Sequence, residues 1–552
     1  MTAPRWREAV FCAAIVLGAL ALRWPGLQEI PRLTDETGEV AAALAILEGD
    51  RPLVHNDAYR GPGWAYLLAA TLRVVGVAPG VPRAFAAVLG AMTAGAAFAM
   101  AAALAGSNRG AARAVASPET RLEPSSVATS TARGASARWM VPGAGLVAGA
   151  GVATATGLVV LSSHVAWSNN ATPLAVVVAA IALHRGVQVA PRGSWRSRAW
   201  LTASGALWGL AIQTHPSALA PLAGAGLWYL VAAGSAGLRR PGTWLAVAAF
   251  GAAVGPLVVF NLQRPLASLG AATAADQPMA RDHSPGAIAT NTVALFGQVG
   301  RMAGAGPGDR LGPEAAAAAV PGTAEVVYAG VLVLALALSL VTGPRLVGAM
   351  AGASVLILPL VNRSYDNFYD GRYVAILVVL GWVAVGTASA TLWRRWGGSH
   401  GRLYRAALVA VLAATIAYPV VPTARLYARE RGAGRTNAPF LEDAALVAHR
   451  AAGDPATTVL VDKALRDIGL GGGGNAQRAF TYLLALQGVP AAQADVSEMR
   501  WHLARRPRGP LVLVVAQATA PELAARGAIT METRPDWRVM AAPAHADRPG
   551  KP

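Results

Sequence analysis

The amino-acid sequence predicts a polytopic α-helical membrane protein carrying a small α/β domain at its C-terminal end. Three observations lead there. Of 552 residues, 54% are hydrophobic and 14% charged, with a mean hydropathy of +0.42, whereas soluble domains run at about a quarter charged. Uncharged runs recur through residues 1–421, each near the roughly 20 residues needed to cross about 30 Å of hydrocarbon. Beyond Pro422 the hydropathy falls, and short strand-like runs alternate with helix-like ones. This composition excludes an ordinary cytosolic enzyme, and so much apolar sequence excludes a disordered chain.

Charge sharpens the picture. Lys and Arg number 47 against 29 Asp and Glu, a net charge of +18, and lysine occurs only at Lys463 and Lys551. So basic a chain has the charge of a nucleic-acid binder, but its arginines collect in short loops between apolar runs, as cytoplasmic anchors do. No nucleic-acid partner is expected. The one cysteine, Cys12, lies in the first apolar run, which excludes an intrachain disulfide and a cysteine-rich metal site.

The first apolar run, Ala9–Leu22, comes after Arg5 and Arg7. Its end, Ala19-Leu20-Ala21, also has the pattern of a signal-peptidase site; with or without cleavage, the chain beyond Pro25 is translocated. Further spans are read at 82–106, 140–161, 171–186, 200–213, 217–233, 244–262, 324–342, 346–361, 373–392 and 406–421. The run Pro62–Val77 carries Arg73 and is short for a crossing. Parity decides its placement. If it lies in the membrane plane, Arg109, Arg113, Arg192, Arg196, Arg239, Arg240, Arg345, Arg394 and Arg395 all fall in cytoplasmic loops. If it spans, the positive-inside bias inverts. It is therefore read as an in-plane amphipathic helix in the first external loop. That leaves about eleven spans, a cytoplasmic N-terminus and an extracytoplasmic C-terminal domain. Residues 107–139 read as a flexible cytoplasmic loop of Ser/Ala/Arg low complexity, and 263–323 as a long external loop. In the domain at 422–552, strands are expected at 457–462 and 510–516, helices at 478–489 and 496–506, and a disordered C-terminal end.

The first external loop holds the residues best suited to chemistry. Asp35 and Glu36 open an Ala-rich helical run, Gly38–Leu47. They fit a helix N-terminus, with Thr34 or Asp35 as cap and Glu36 favoured by the dipole. They also fit functional carboxylates, because acids near a bilayer surface are costly unless they serve something. The loop closes with His55-Asn56-Asp57-Ala58-Tyr59-Arg60-Gly61-Pro62. His55 and Asp57, with Asp35, suit zinc or manganese, so a divalent metal stays open beside a plain solvated loop. Arg60 stands at lipid-phosphate depth, where a guanidinium can grip a phosphate with two parallel hydrogen bonds or simply snorkel. GLGGGGN at 469–475 lacks the Lys-Ser/Thr of a phosphate loop and reads as a flexible turn.

An early external Asp-Glu pair, a helix, a Tyr-Arg-Gly-Pro step into an in-plane helix, many spans and an outer soluble domain come in one order. In that order the chain resembles the GT-C glycosyltransferases, above all the branch of protein O-mannosyltransferases and bacterial aminoarabinose-transferase-like proteins. The order of elements matches across 1–421; residue matches are confined to the first loop and the segment near Arg372. The resemblance implies an enzyme that takes a sugar from a polyprenyl-phosphate carrier and passes it to an acceptor at the outer membrane face. It puts Asp35 at the family's catalytic aspartate and Glu36 beside it. Tyr59 and Arg60 stand where many members contact the carrier phosphate, with His55 and Asp57 in the same substrate-binding loop. A second match is NRSYDNFYDGRY, 362–373, where members commonly place an Arg-Tyr pair. Arg372 would then be a second cation for the donor phosphate and Tyr373 an anchor; an aromatic-belt loop fits the same residues. The prolines that usually come next are absent.

Two further segments bear on the resemblance. Asn169 and Asn170 stand where several members carry an acid, so no second carboxylate or metal site carries over there. QTHPSAL, 213–219, has the family's flavour or is a helix break at His215-Pro216. The implied chemistry is one inverting displacement, with Asp35 as general base or orienting group and Arg60 and Arg372 meeting charge on the departing phosphate. The sugar, hexosyl or pentosyl, and the acceptor stay open. Richness in Arg and Ala with two lysines suggests a high-GC genome, hence a bacterial plasma membrane and an undecaprenyl- or decaprenyl-type carrier among its membrane lipids. Two other classes compete. A lipid or solute transporter or flippase fits less well, since charges within the spans are few and no inverted repeat is visible. A non-catalytic scaffold of the same fold is compatible with Asn169 and Asn170.

Overall fold

The computed structural model describes residues 6–28, 36–53, 61–115, 142–189, 193–265, 267–268, 283–306, 322–342, 345–361, 365, 368–396, 401–433, 436–471, 474–505 and 509–542. The protein is polytopic and α-helical with a C-terminal sheet domain. Among the described residues, seven helices are long and apolar enough to cross a membrane, against the eleven or so read from the sequence. Several of the other expected spans are short, broken or charged. The segment read as 140–161 leaves helical geometry at Ala155, between helix α5 (142–154) and a short turn, α6 (Thr156–Val160). Helix α1 (Trp6–Arg23) carries Arg7, Glu8 and Arg23, and α8 (Trp195–Thr214) carries Arg196 and Arg198 near its start. Helix α13 (Arg345–Val361) has 17 residues.

Helix α2 (Glu36–Leu47) precedes α3 (Gly63–Val75), which has 13 residues. At about 1.5 Å per residue α3 spans about 20 Å, too short for a crossing. Trp64, Leu68 and Leu72 are buried along one face while Val74 and Val75 are exposed, the one-sided pattern expected of an amphipathic helix. Helix α4 (Val81–Val115) runs well into the expected 107–139 loop; residues 116–139 lie outside the described residues.

The rest of the bundle comprises α7 (Thr172–His184), α8, α9 (Leu219–Leu238), α10 (Pro241–Gln263), α11 (Pro285–Gly300), α12 (Thr323–Thr342), α13, α14 (Ala375–Arg395) and α15 (Gly401–Ala417). Every residue of α14 from Ala375 to Thr387 is buried, as befits a helix that is apolar all round. Close approach elsewhere rests on small residues. Gly205 and Gly209 put α8 against α10, where an added Cβ at Gly205 would strike the Ala246 backbone. The 263–323 stretch is not simply a loop: α11 lies inside it, with Leu295 and Val299 buried in the bundle core. Its Gly300 rests on the Glu325 backbone and Arg301 pairs with Glu325 at 3.1 Å. The apolar spacing of Leu295 and Val299, one helical turn apart, is the signal that scattered Gly and Pro concealed.

The boundary at 421/422 also moves. Helix α16 (Val420–Gly432) is polar enough to lower the hydropathy, yet it buries Thr423, Leu426, Tyr427 and Glu430 against the bundle. The soluble domain begins after it, with α17 (Ala438–Ala452). Its strands are β1 (Thr458–Asp462), β2 (Gly469–Gly471), β3 (Gly474–Asn475), β4 (Ala491–Ala494), β5 (Leu511–Ala516), β6 (Ile529–Thr533) and β7 (Trp537–Ala542); its helices include α18 (Ala476–Ala485) and α19 (Val496–Arg505). The main sheet runs β4-β1-β5-β7-β6, parallel through β5 and antiparallel beyond. GLGGGGN is no plain turn: β2 pairs with β3, and the Asn475 side chain caps α18 by accepting from the Arg478 N–H at 2.9 Å. The disordered end expected after 542 lies outside the described residues.

Alternation along the strands sorts the two cores. Leu460, Leu511, Leu513 and Val515 face α19. Val459, Val461, Val512 and Val514 face a core that contains Phe440, Phe480 and Trp537 and also Val40 and Ala43 of α2 and Trp64, Leu68 and Leu72 of α3. The α/β domain and the first-loop helices therefore share one apolar core. Within the domain, Asp443, 1% exposed, accepts from Arg534 Nη2 at 2.8 Å and from Trp537 Nε1 at 2.8 Å. Asp443→Ala leaves the buried Trp537 N–H unsatisfied and Arg534 with Glu442 and Glu532 only, which should cost about 1–3 kcal/mol. The expected result is a thermal midpoint several degrees lower for the detergent-solubilised chain, and an unchanged midpoint would deny Asp443 that role.

Candidate active site

The polar groups of the bundle gather at one end, around residues 161–171. This connection between α6 and α7 is buried from end to end, so its backbone N–H groups need partners from elsewhere. Two carboxylates of α2 provide them. The Ala166 N–H donates to Glu36 Oε2 at 2.8 Å, and Ser168 donates its N–H and hydroxyl to Glu39 at 2.5 and 3.1 Å. Glu36 is itself fully buried and gripped by Arg83 at the start of α4: Nη2 lies 2.5 Å from Oε1, and Nε 3.1 and 3.2 Å from the two oxygens. Isolated, either charge would be prohibitively desolvated; a forked pair with extra hydrogen bonds makes the burial tolerable. Both oxygens of Glu36 are thus engaged, by Arg83 and by the Ala166 N–H. Tyr482 of the α/β domain also reaches this pair: burial, and then the Glu36 carboxylate, push its phenol well up from the usual tyrosine value, with Arg83 opposing.

The same connection meets the second sequence-predicted region. The Arg372 guanidinium lies 4.5 Å from the centre of the Trp167 ring and 4.9 Å from that of Tyr373, and Nη2 donates to the Tyr373 hydroxyl at 3.0 Å. Arg372 and Tyr373 close a 3-10 turn, Phe368–Tyr373, just before α14. Across the gap, the His215 ring stands 5.6 Å from that of Tyr373. His215 is both a helix break and part of this cluster: it ends α8, and its Nδ1 accepts the Ser217 N–H at 3.1 Å.

The end of the first loop arrives here too. Gly61 and Gly63 pack so closely on Gln213 that an added Cβ at Gly63 would come within 2.8 Å of its Cβ. Gln213 donates Nε2 to the Ala253 carbonyl at 3.0 Å, while its Oε1 and Asn169 Nδ2 are buried without a hydrogen-bond partner among the described residues. Asn169 and Asn170 are both buried. His164 Nε2 lies 3.0 Å from the Tyr427 hydroxyl beneath the cluster.

Of the residues picked from sequence, Glu36, Arg372 and Tyr373 are in this cluster. Asp35, His55, Asp57, Tyr59 and Arg60 lie outside the described residues, although Asp35 directly precedes Glu36 and Arg60 directly precedes Gly61. The three metal-ligand candidates His55, Asp57 and Asp35 lie outside as well; among the described residues no three His, Cys, Asp or Glu side chains gather in a metal-binding group. Glu39, Arg83, Trp167, His164 and Tyr427 join the cluster unannounced. For Arg83 a signal existed. It sits, like Arg23, at the span ends opposite the arginine-rich loops, where the positive-inside rule gives no reason for a cation. Both are buried, Arg23 donating to the Ala19 and Ala153 carbonyls at 3.0 and 2.9 Å.

No protein-family model matches this chain, and no curated protein matches it. Among solved structures, ArnT from Cupriavidus metallidurans bound to undecaprenyl phosphate is similar over 98% of both chains, with 13% identity and a TM-score of 0.61. The same protein in the apo state is similar over 97% of both chains, with 13% identity and a TM-score of 0.55. ArnT is an aminoarabinose transferase of the GT-C type. This chain has the GT-C fold. The likeness extends through the α/β domain as well as the bundle, beyond the residues 1–421 over which the sequence resembles that family.

Proposed function

We propose that this GT-C chain is a membrane glycosyltransferase that moves a sugar from a polyprenyl-phosphate carrier to an acceptor at the outer face of a bacterial plasma membrane, with inversion. One observation carries the reading. Two regions far apart in sequence and singled out for donor binding converge: Gly61, next to Arg60, packs on Gln213, and His215, two residues on, faces Tyr373 beside Arg372. Convergence of two cation-bearing segments at the end of an apolar bundle suits a ligand with an apolar tail and an anionic head.

In this reading Asp35 accepts the proton of the acceptor hydroxyl as that oxygen attacks the anomeric carbon. The bond from carbon to the carrier phosphate breaks, and the phosphate departs with the electron pair. Arg60 and Arg372 meet the charge growing on it, a stabilisation stronger in the transition state than in the ground state. Tyr373 and Trp167 hold Arg372 in place. His55, Asp57 and Tyr59 line the donor loop, and the acceptor is taken to enter beneath the α/β domain, which stands over α2 and α3.

The test is native mass spectrometry of the protein purified after incubation with polyprenyl-phosphate-linked sugars, alongside an assay of sugar release. The expected result is a retained lipid-linked sugar and its turnover to free polyprenyl phosphate. Retention of ordinary phospholipid alone, with no turnover of any lipid-linked sugar offered, would turn the reading toward a transporter or scaffold.

A further inference from the structure

We infer that Arg83 is a positioning residue for Asp35, acting through the neighbouring Glu36. The inference rests on the proposed glycosyltransferase function. A single buried guanidinium joins two described residues, Leu27 and Glu36. Its Nη1 donates to the Leu27 carbonyl at 3.1 Å. Its Nη2 and Nε bind the carboxylate of Glu36, the first residue of α2. Leu27 and Glu36 thus meet on one side chain, and Asp35 directly precedes Glu36 in the chain.

Neighbouring residues hold the same two points. Gln28 donates Nε2 to the Gly80 carbonyl at 3.2 Å and its own carbonyl accepts from Asn437 Nδ2 at 3.1 Å. Glu36 takes the Ala166 N–H, and Glu39, one turn on, takes Ser168. The carboxylate next to Asp35 is thus referenced, through Glu36, to the connection that carries Trp167 and hence to Arg372. Arg83 has the planar fork that can serve a carboxylate and a carbonyl in one plane at once; a lysine ammonium can keep the charge but not that geometry. Displacing a reacting group by about 1 Å is enough to lower turnover roughly a hundredfold.

The experiment compares turnover, donor affinity and thermal midpoint for the full-length wild type, R83K, R83M and the double variant E36Q/R83M. In R83K, kcat should fall about tenfold or more while donor affinity and midpoint stay close to wild type. In R83M a buried carboxylate loses its partner, so both kcat and midpoint should fall. The double variant removes both charges, so its midpoint should recover while kcat stays about a hundredfold down. Recovery of kcat together with the midpoint in the double variant, or wild-type kcat in R83K, would make the pair merely structural and overturn the inference. The glycosyltransferase reading fails separately, through a wild type without turnover, whereas an Asp35→Asn variant that retains turnover would overturn the present inference alone.

Discussion

Asp35→Asn should abolish sugar transfer while leaving the protein folded and still loaded with its lipid donor. The variant keeps the size and hydrogen-bonding capacity of the side chain but cannot take the hydroxyl proton. A placed base contributes about 10²–10⁴-fold, and an amide in its place forfeits that factor. The loss should appear in kcat with donor affinity unchanged, because the missing interaction belongs to the transition state. Turnover near that of wild type would sink the assignment of Asp35 as the base.

Arg372→Ala and Arg60→Ala should act differently, weakening retention of the donor. Each removes one cation from a phosphate in a site of low dielectric, a loss of about 2 kcal/mol, or roughly thirtyfold in donor affinity. For Arg372 the geometry argues the size of the effect. Its guanidinium is already oriented by the faces of Trp167 and Tyr373, so little ordering entropy remains to be lost when a phosphate binds. Dissociation constants for a polyprenyl phosphate, measured with each variant in nanodiscs, check this. Wild-type affinity in both would remove these arginines from the site.

Much of the architecture was legible without coordinates. That α3 is a short, one-sided helix followed from a run of limited length carrying Arg73, and its buried stripe of Trp64, Leu68 and Leu72 agrees. In the α/β domain, Val459–Val461 and Leu511–Val515 read as strands because continuous branched apolar runs fit a sheet covered on both faces. Elements built against a tertiary partner were harder to read. Helix α11 was hidden among glycines whose purpose is close packing on α12, and α16 among arginines whose helix still buries Tyr427. The resemblance singled out Glu36, Arg372 and Tyr373; Arg83 was signalled only by its place at a span end away from the arginine-rich loops, and Trp167 by nothing local.

By itself, then, the sequence determined the broad character of its parts: an apolar helical stretch and a more polar α/β domain after it. That character is a sum of transfer free energies over neighbouring residues and needs no partner. It also determined, through resemblance, which loops to inspect. Only the tertiary structure decided that Glu36 pairs with Arg83, that Arg372 rests on Trp167, and that the α/β domain shares a core with α2 and α3. Each of these is a pairing between residues tens to hundreds of positions apart. A buried charge or ring is stabilised by whatever the fold brings to it, so its role is fixed by that neighbour and not by the residues beside it in the chain.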